Sequence, residues 1–374
     1  MKTYQCIHKY GPHIPALEKR WGIGEHSTFA EIHDAVLRDG YASVYRLIPP
    51  TDRPDDSVFF TVWNYERLQR AWAHERGLDT SDLDEIRLAQ IEHYQPDVVY
   101  DFSSFVSPEF PRKLRKRFTG KILCWNGFIK EVDPPVDPAY DGYVSLHRPF
   151  VESWKQRGHN ALELQPGVDP EWGNLDLCPF PKRREDLILY GQLGNHFGKR
   201  VDLASRVAEV ATSEGYRFKC YAGASKRYHR PGGRLARMGI DLPFLIKWPD
   251  KNLRSTLAAS VYGVELYEVI RDAKAVLNTF TDLSVSFHSN MRIFETIGNG
   301  TPLLSPDGVY PEGLEAGVDF LSYSTVEEIS RAMRFFLAEP DGALEFARTA
   351  RDRMLRNFSK QRQYSEFTEF ASQL

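Results

Sequence analysis

Cysteine is scarce in this chain: there are four in 374 residues, Cys6, Cys124, Cys178 and Cys220, set far apart and forming no CxxC pair. That excludes a disulfide framework and a thiolate metal site, and it makes reduced structural thiols and a cytoplasmic setting the expectation. Long apolar runs are missing too. No stretch approaches the roughly 20 residues that span a bilayer. The opening MKTYQCIHKYGPHIP has no apolar core of the kind a secretory leader carries. Charge of one sign is not in excess: the formal net charge of −3 excludes a general nucleic-acid binder. Several enzyme signatures are also absent. There is no G-x-S-x-G elbow, no P-loop G-K-[ST] and no H-E-x-x-H. Gly22-Ile23-Gly24 is half a dinucleotide motif but follows no strand pattern. Asp55-Asp56, in a proline-bounded loop, is the nearest imitation of a metal-binding DxD.

What is present is a globular composition, 42% hydrophobic and 13% aromatic. At roughly 150 residues per domain, two domains are expected. Helix and strand patterns alternate, which argues for α/β layers with parallel sheets. Strands are expected over Tyr4–His8, Asp97–Tyr100, Lys121–Trp125, Gly142–Leu146 and Ala161–Leu164. Thr28 and Glu31 form a capping box for a helix over Phe29–Leu37, and Ser81 with Asp84 opens another that Pro96 ends. The stretch from Pro166 to Pro181 is rich in proline and turn residues and has no period, which marks an interdomain connection. Beyond it come strands over Asp186–Leu193, Arg217–Ala222, Ala273–Asn278 and Pro302–Ser305. Helices follow over Arg200–Thr212, from a Ser324/Glu327 cap to Leu337, and over one long pattern from Leu344 to about Phe370. The expected division is 1–170, a connection at 171–183, a second domain at 184–355, and a terminal helix at 356–374.

The most informative stretch is Asn290–Leu304. It reads as a short helix, capped by Ser289 or Asn290 and ended by Gly298 and Gly300, that leads straight into a buried strand. Arg292, Glu295, Thr296 and Asn299 share one face. Backbone N–H groups and Arg292 suit a diphosphate, and Glu295 can accept from two ribose hydroxyls. The plainer reading is a surface helix with solvated charges. A second stretch, Gly191–Arg200, follows a strand and opens a helix, the place where α/β domains bind phosphate. Gly194, Lys199 and Arg200 are its candidates. Its spacing is not that of an NAD or FAD site. His8, His13, His26 and His33 lie close in sequence but lack metal-ligand spacing. The run Arg112, Lys113, Arg115, Lys116 and Arg117 reads as a solvated helix face, with peripheral contact to anionic lipid headgroups as the alternative.

From about Val261 to Phe367 the chain resembles the glycosyltransferase group 1 enzymes, in particular their CgeB-like branch. The residues that carry the resemblance are Val261–Asn278, the N-x-R-x-F-E of Asn290, Arg292, Phe294 and Glu295, the GNGTPLL that follows, Glu312–Tyr323 and the helix at Glu327. The earlier segments fall in a similar order, and only Met1 to about Arg76 shows no resemblance. The resemblance implies the GT-B fold: two Rossmann-like domains with parallel sheets facing across a cleft, the last helix crossing back to the first domain. It implies Glu295 on the ribose, Arg292 near the diphosphate, and Lys199 and Arg200 as the basic residues of the first loop of the C-terminal domain, with Asn290 and His288 as further donor-binding candidates. It departs at Phe287, where many group 1 enzymes carry a glutamate eight positions before the conserved one. His288, Ser286 and Asp282 are the nearby polar substitutes.

The function these readings imply is transfer of a sugar from a nucleotide diphosphate sugar to a hydroxyl acceptor. The acceptor would be a glycan, a lipid-linked compound or a small molecule, in bacterial surface-glycan or glycoconjugate synthesis. No metal or cofactor is expected, and retention is the stereochemistry the resemblance favours. The protein is expected in the cytoplasm, or peripheral at the inner membrane face. On the acceptor side, in the N-terminal half, His13 is the first candidate base and Asp101 the second. The alternatives are a catalytically silent GT-B subunit that binds a glycan or partner, and a GT-B sugar-nucleotide epimerase.

Overall fold

The computed structural model describes the chain apart from residues 9, 128–134, 194–197, 225–250 and 281–286. The described residues form two compact units. The first is Met1–Asp169 with Tyr262–Val264 and Phe358–Leu374; the second is Pro170–Val261 with Glu265–Asn357. No described helix is long and apolar enough to cross a membrane.

The first unit is built on β1 (Lys2–Ile7), β2 (Ser57–Val62), β3 (Val98–Asp101), β4 (Lys121–Trp125), β5 (Gly142–Ser145) and β6 (Ala161–Glu163). They pair in parallel in the order β2-β1-β3-β4-β5-β6. β3 and β5 are buried along their whole length, as parallel strands with helices on both faces must be. Both were expected from the sequence, β5 as the weaker of the two, whereas β2 was not. The Thr28 capping box opens the helix Phe29–Asp39 as expected. The next cap falls one residue later than expected, on Asp82, and Gln95 in the left-handed region closes that helix before Pro96.

The second unit carries β7 (Glu185–Leu193), β8 (Phe218–Ala224), β9 (Leu257–Ala258), β10 (Ala273–Leu277), β11 (Leu303–Pro306) and β12 (Leu321–Tyr323). The order is β12-β11-β10-β7-β8-β9, again parallel. The chain steps outward from β7 to β8 and β9, then returns to the other side of β7 with β10. The order therefore reverses between β7 and β10. Open parallel sheets hold ligands at the carboxyl ends of the strands flanking such a reversal.

Two expected elements differ. The proline-rich stretch at 171–183 packs into the second unit: Trp172 and Phe180 are buried, and Arg183 donates to the carbonyls of Cys178, Ala273 and Gly300 at 2.9, 2.8 and 3.2 Å. The single long terminal helix is two, Pro340–Asn357 and Lys360–Ser372. Ser359 caps the second by accepting from the Arg362 N–H at 3.1 Å, and the Phe358 carbonyl turns away to accept from Val168 N–H at 2.7 Å. The final helix belongs to the first unit, where Tyr364, Phe367 and Ala371 join the core of β3, β4 and β5. Its Lys360 is buried and donates to the carbonyls of Ser43 and Arg46 at 2.6 and 2.8 Å.

Candidate functional site

The helix Met291–Gly298 starts at the reversal between β7 and β10. Asn290 caps it, with Oδ1 accepting from Ile293 N–H at 3.2 Å and Nδ2 donating to Asn278 Oδ1 at 3.0 Å. Ile293 through Gly298 are all buried. The reading of a surface helix with solvated charges therefore fails for Glu295, which is only 2% exposed.

Arg292 reaches across the strand ends. Its Nη1 donates to Asn278 Oδ1 at 2.7 Å and to the Thr279 carbonyl at 2.9 Å, and its Nη2 donates to the Tyr190 carbonyl at 2.7 Å. Among the described residues no carboxylate forms an ion pair with it. Burial pulls its pKa below the usual guanidinium value. Arg200, buried in the helix Gly198–Glu214, donates through Nε to Thr279 Oγ1 at 2.5 Å and through Nη1 to the Gln192 carbonyl at 2.8 Å. Two guanidinium groups thus meet at the ends of β7 and β10. Gly191 lets them do so: a Cβ there would lie 2.7 Å from Arg292 Nη2, and its φ of +131° is itself unfavourable for a side chain.

Glu295 sits one turn along the helix from Arg292. Its Oε2 accepts from the Tyr190 hydroxyl at 3.2 Å, and no other hydrogen bond reaches its carboxylate among the described residues. Burial pushes its pKa up to about 7, opposed by the tyrosine hydroxyl and the Arg292 charge. Lys199 is exposed at the start of its helix. His288 is buried, stacked on Phe280 with ring centroids 4.2 Å apart, and its Nε2 meets the Asp307 carbonyl at 3.1 Å. Burial lowers its pKa. Phe287 is buried and bridges to Val309. Gly194, Asp282 and Ser286 lie outside the described residues.

The structure therefore brings Asn290, Arg292, Glu295 and Arg200 together at one end of one sheet. An arginine-rich corner with a helix N-terminus attracts an anion, and a buried carboxylate beside it accepts hydroxyls. Tyr190, Asn278 and Thr279 were not singled out in the sequence. Asn278 left a trace there, as the polar residue that ends an apolar strand.

The candidates in the first unit are placed differently. Asp101 is fully buried. It accepts from the Tyr140 hydroxyl at 2.7 Å, from Ser103 N–H at 2.8 Å and from Cys6 Sγ at 3.4 Å, and Arg87 Nη1 stands 3.9 Å away. It is enclosed by the chain's own donors, which is the geometry of a structural carboxylate. His13 is 4% exposed; its Nε2 meets Asp39 Oδ2 at 2.7 Å and its ring stacks on Tyr41 at 4.4 Å. The basic run at Arg112–Arg117 is largely neutralised. Arg112 pairs with Asp137, Lys113 with Asp84, Arg115 with Asp141 and Arg117 with Glu85, all within 3.1 Å. Only Lys116 has no such partner among the described residues.

Residues 203–369 match the model of a family described as glycosyl transferase-like. No curated protein matches the chain. Several solved structures do. HepE from Anabaena, in complex with UDP-glucose, superposes with a TM-score of 0.59 at 12% identity, covering 100% of both chains. AviGT4, a glycosyltransferase involved in avilamycin A biosynthesis, gives 0.53 at 15% identity, over 100% of this chain and 98% of that one. TarM from S. aureus gives 0.51 at 13% identity, over 78% of this chain and 58% of that one. At such identities the likeness is one of fold: two parallel α/β sheets of the GT-B type.

Proposed function

We propose that this protein is a glycosyltransferase that moves a sugar from a nucleoside diphosphate sugar to a hydroxyl acceptor. One observation carries the reading. At the reversal of the second sheet, Arg292, without an ion-pair partner among the described residues, stands beside Glu295, a buried carboxylate held among those residues by a single hydrogen bond. Buried charges without partners are costly unless a ligand completes them. The diphosphate would meet Arg292, Arg200, Lys199 and the helix N-termini, and the ribose would meet Glu295. The charge that develops on the departing diphosphate would be stabilised by these groups without a metal. The match over 203–369 supports the reaction class. Retention of configuration, a CgeB-like affiliation and a place in surface-glycan or glycoconjugate assembly rest on the residue resemblance alone. For the acceptor proton we assign His13 ahead of Asp101, because Asp39 orders the His13 imidazole while Asp101 has its oxygens already engaged.

A silent binding subunit is the second reading, favoured by Phe287 where a carboxylate is usual. A thermal-shift screen against UDP, GDP, dTDP and their sugars tests the donor site; no stabilisation by any of them would refute it. With the nucleotide that binds, Glu295→Ala should cost about 1–3 kcal/mol of affinity, since it leaves ligand hydroxyls unpaired. Binding of the sugar nucleotide without transfer or hydrolysis would favour the silent subunit. Turnover should persist in EDTA.

A further inference from the structure

We infer that Tyr190 is the positioning residue of this site, coupling the ribose carboxylate Glu295 to the diphosphate arginine Arg292. The inference rests on the donor reading above and goes further, to how the carboxylate is aimed and kept ionised. One residue near the end of β7 touches both partners in three ways. Its carbonyl accepts from Arg292 Nη2 at 2.7 Å. Its ring lies beneath the guanidinium, 4.9 Å from centroid to carbon. Its hydroxyl donates to Glu295 Oε2 at 3.2 Å and lies 3.5 Å from Thr296 Oγ1.

The consequence follows from counting lone pairs. The Tyr190 hydroxyl occupies one oxygen of Glu295 and leaves the other without a hydrogen bond among the described residues, so the carboxylate meets a ligand in one orientation. Burial and the neighbouring carboxylate hold the tyrosine pKa well above its usual value, so its hydroxyl stays a donor across the working pH range. Among the described residues, the charged or titratable groups facing Glu295 are Tyr190 from β7 and Arg292 from its own helix. The helix Pro340–Asn357 packs on that helix, but its Arg351 donates to the Leu175 carbonyl and its Arg353 to Asp319. Tyr190 is therefore the neutral donor that helps the buried carboxylate ionise, and an ionised carboxylate is the form that accepts from ribose hydroxyls.

The variant that isolates this role is Tyr190→Phe, which keeps the ring under Arg292 and the carbonyl that holds it. Calorimetry with UDP and GDP, each against its 2′-deoxy counterpart, reads the ribose preference from pH 6 to pH 9. In the unaltered protein the preference should be about tenfold at pH 8, the order of one hydrogen bond to a charged group, and should fade below pH 7. In Tyr190→Phe it should shrink several-fold at pH 7 and return by pH 9, where the carboxylate ionises unaided. An equal loss of affinity for both ligands at every pH would mark a merely structural tyrosine and overturn the inference. Glu295→Ala separates the two levels. If it removes the preference while Tyr190→Phe behaves as the unaltered protein, only the tyrosine assignment fails. If Glu295→Ala changes nothing, or neither UDP nor GDP binds, the donor reading fails and the inference with it.

Discussion

Each unit holds a buried carboxylate, an arginine and a tyrosine near the carboxyl ends of its strands, yet the two clusters are built to opposite ends. In the first, Asp101 accepts from Tyr140, Ser103 and Cys6. Its arginine, Arg87, is fully buried, stacked 4.2 Å from the Trp63 ring and 3.3 Å from that of Phe110, and pairs with Asp84 at 2.7 Å. In the second, among the described residues, Glu295 has one donor at 3.2 Å, and Arg292 spends its hydrogen bonds on neutral carbonyl groups. A carboxylate saturated by its own chain stabilises a fold. One left partly unsatisfied costs stability and waits for a ligand. Burial does not distinguish these two acids; the count of satisfied lone pairs among the described residues does.

The largest expected effect tests the cluster around Asp101. Asp101→Ala would strand the Tyr140 hydroxyl and the Ser103 N–H and leave Arg87 with Asp84 as its one ion-pair partner among the described residues, and should destabilise the first unit by about 2–4 kcal/mol. Denaturant unfolding measures it. A loss below about 1 kcal/mol would mean that Asp101 is not the hub the geometry makes it.

Glu295→Gln should show the reverse sign. The Glu295 pKa is raised by folding from an ordinary carboxyl value to about 7. Below the unfolded value both states are protonated and the group has no effect. As pH rises towards 7 the unfolded chain releases its proton first, so the native state progressively loses stability; above about 7 the penalty is complete. Glutamine removes that penalty. The ligand-free variant should match the unaltered protein near pH 4 and exceed it at pH 8, by at most about 3 kcal/mol from the size of the shift. Nucleotide affinity should fall at the same time, the usual exchange of stability for function. Melting curves at both pH values decide it; equal curves at pH 8 would mean that the carboxylate is not strained.

The two clusters also differ in how far they could be read from the residues. The sheets were legible because parallel strands buried on both faces leave apolar runs, as at β4, whose bounds match Lys121–Trp125. β2 was missed although Val58, Phe59, Phe60 and Val62 are apolar; three of its six residues are only half-buried. The donor candidates Arg292, Glu295 and Asn290 stood out because helix, cap and following strand are contiguous. Tyr190 did not, because its part depends on a register between strands far apart in sequence: β10 pairs with β7 at Val276 and Ile188. Continued two residues, that register sets Asn278 beside Tyr190. His13 and Asp101 were chosen for their chemistry and position after strands, and nothing local announced Tyr140 or Asp39 as their partners.

The smallest expected effect contrasts the two bases that open the helix Gly198–Glu214. Arg200 is buried and tied to Thr279 and Gln192, whereas Lys199 is exposed. A solvated lysine acts on a diphosphate mainly through screened charge, worth a small factor at physiological salt and more when salt is low. Lys199→Ala should leave the melting temperature unchanged and weaken UDP binding about two- to fivefold at 0.15 M salt, with a larger loss at 0.02 M. Arg200→Ala should lower both affinity and melting temperature, since it also releases the Thr279 and Gln192 carbonyls. If the lysine variant lost stability, or if its affinity loss ignored salt, Lys199 would belong with the buried scaffold and not with the exposed edge of the anion site.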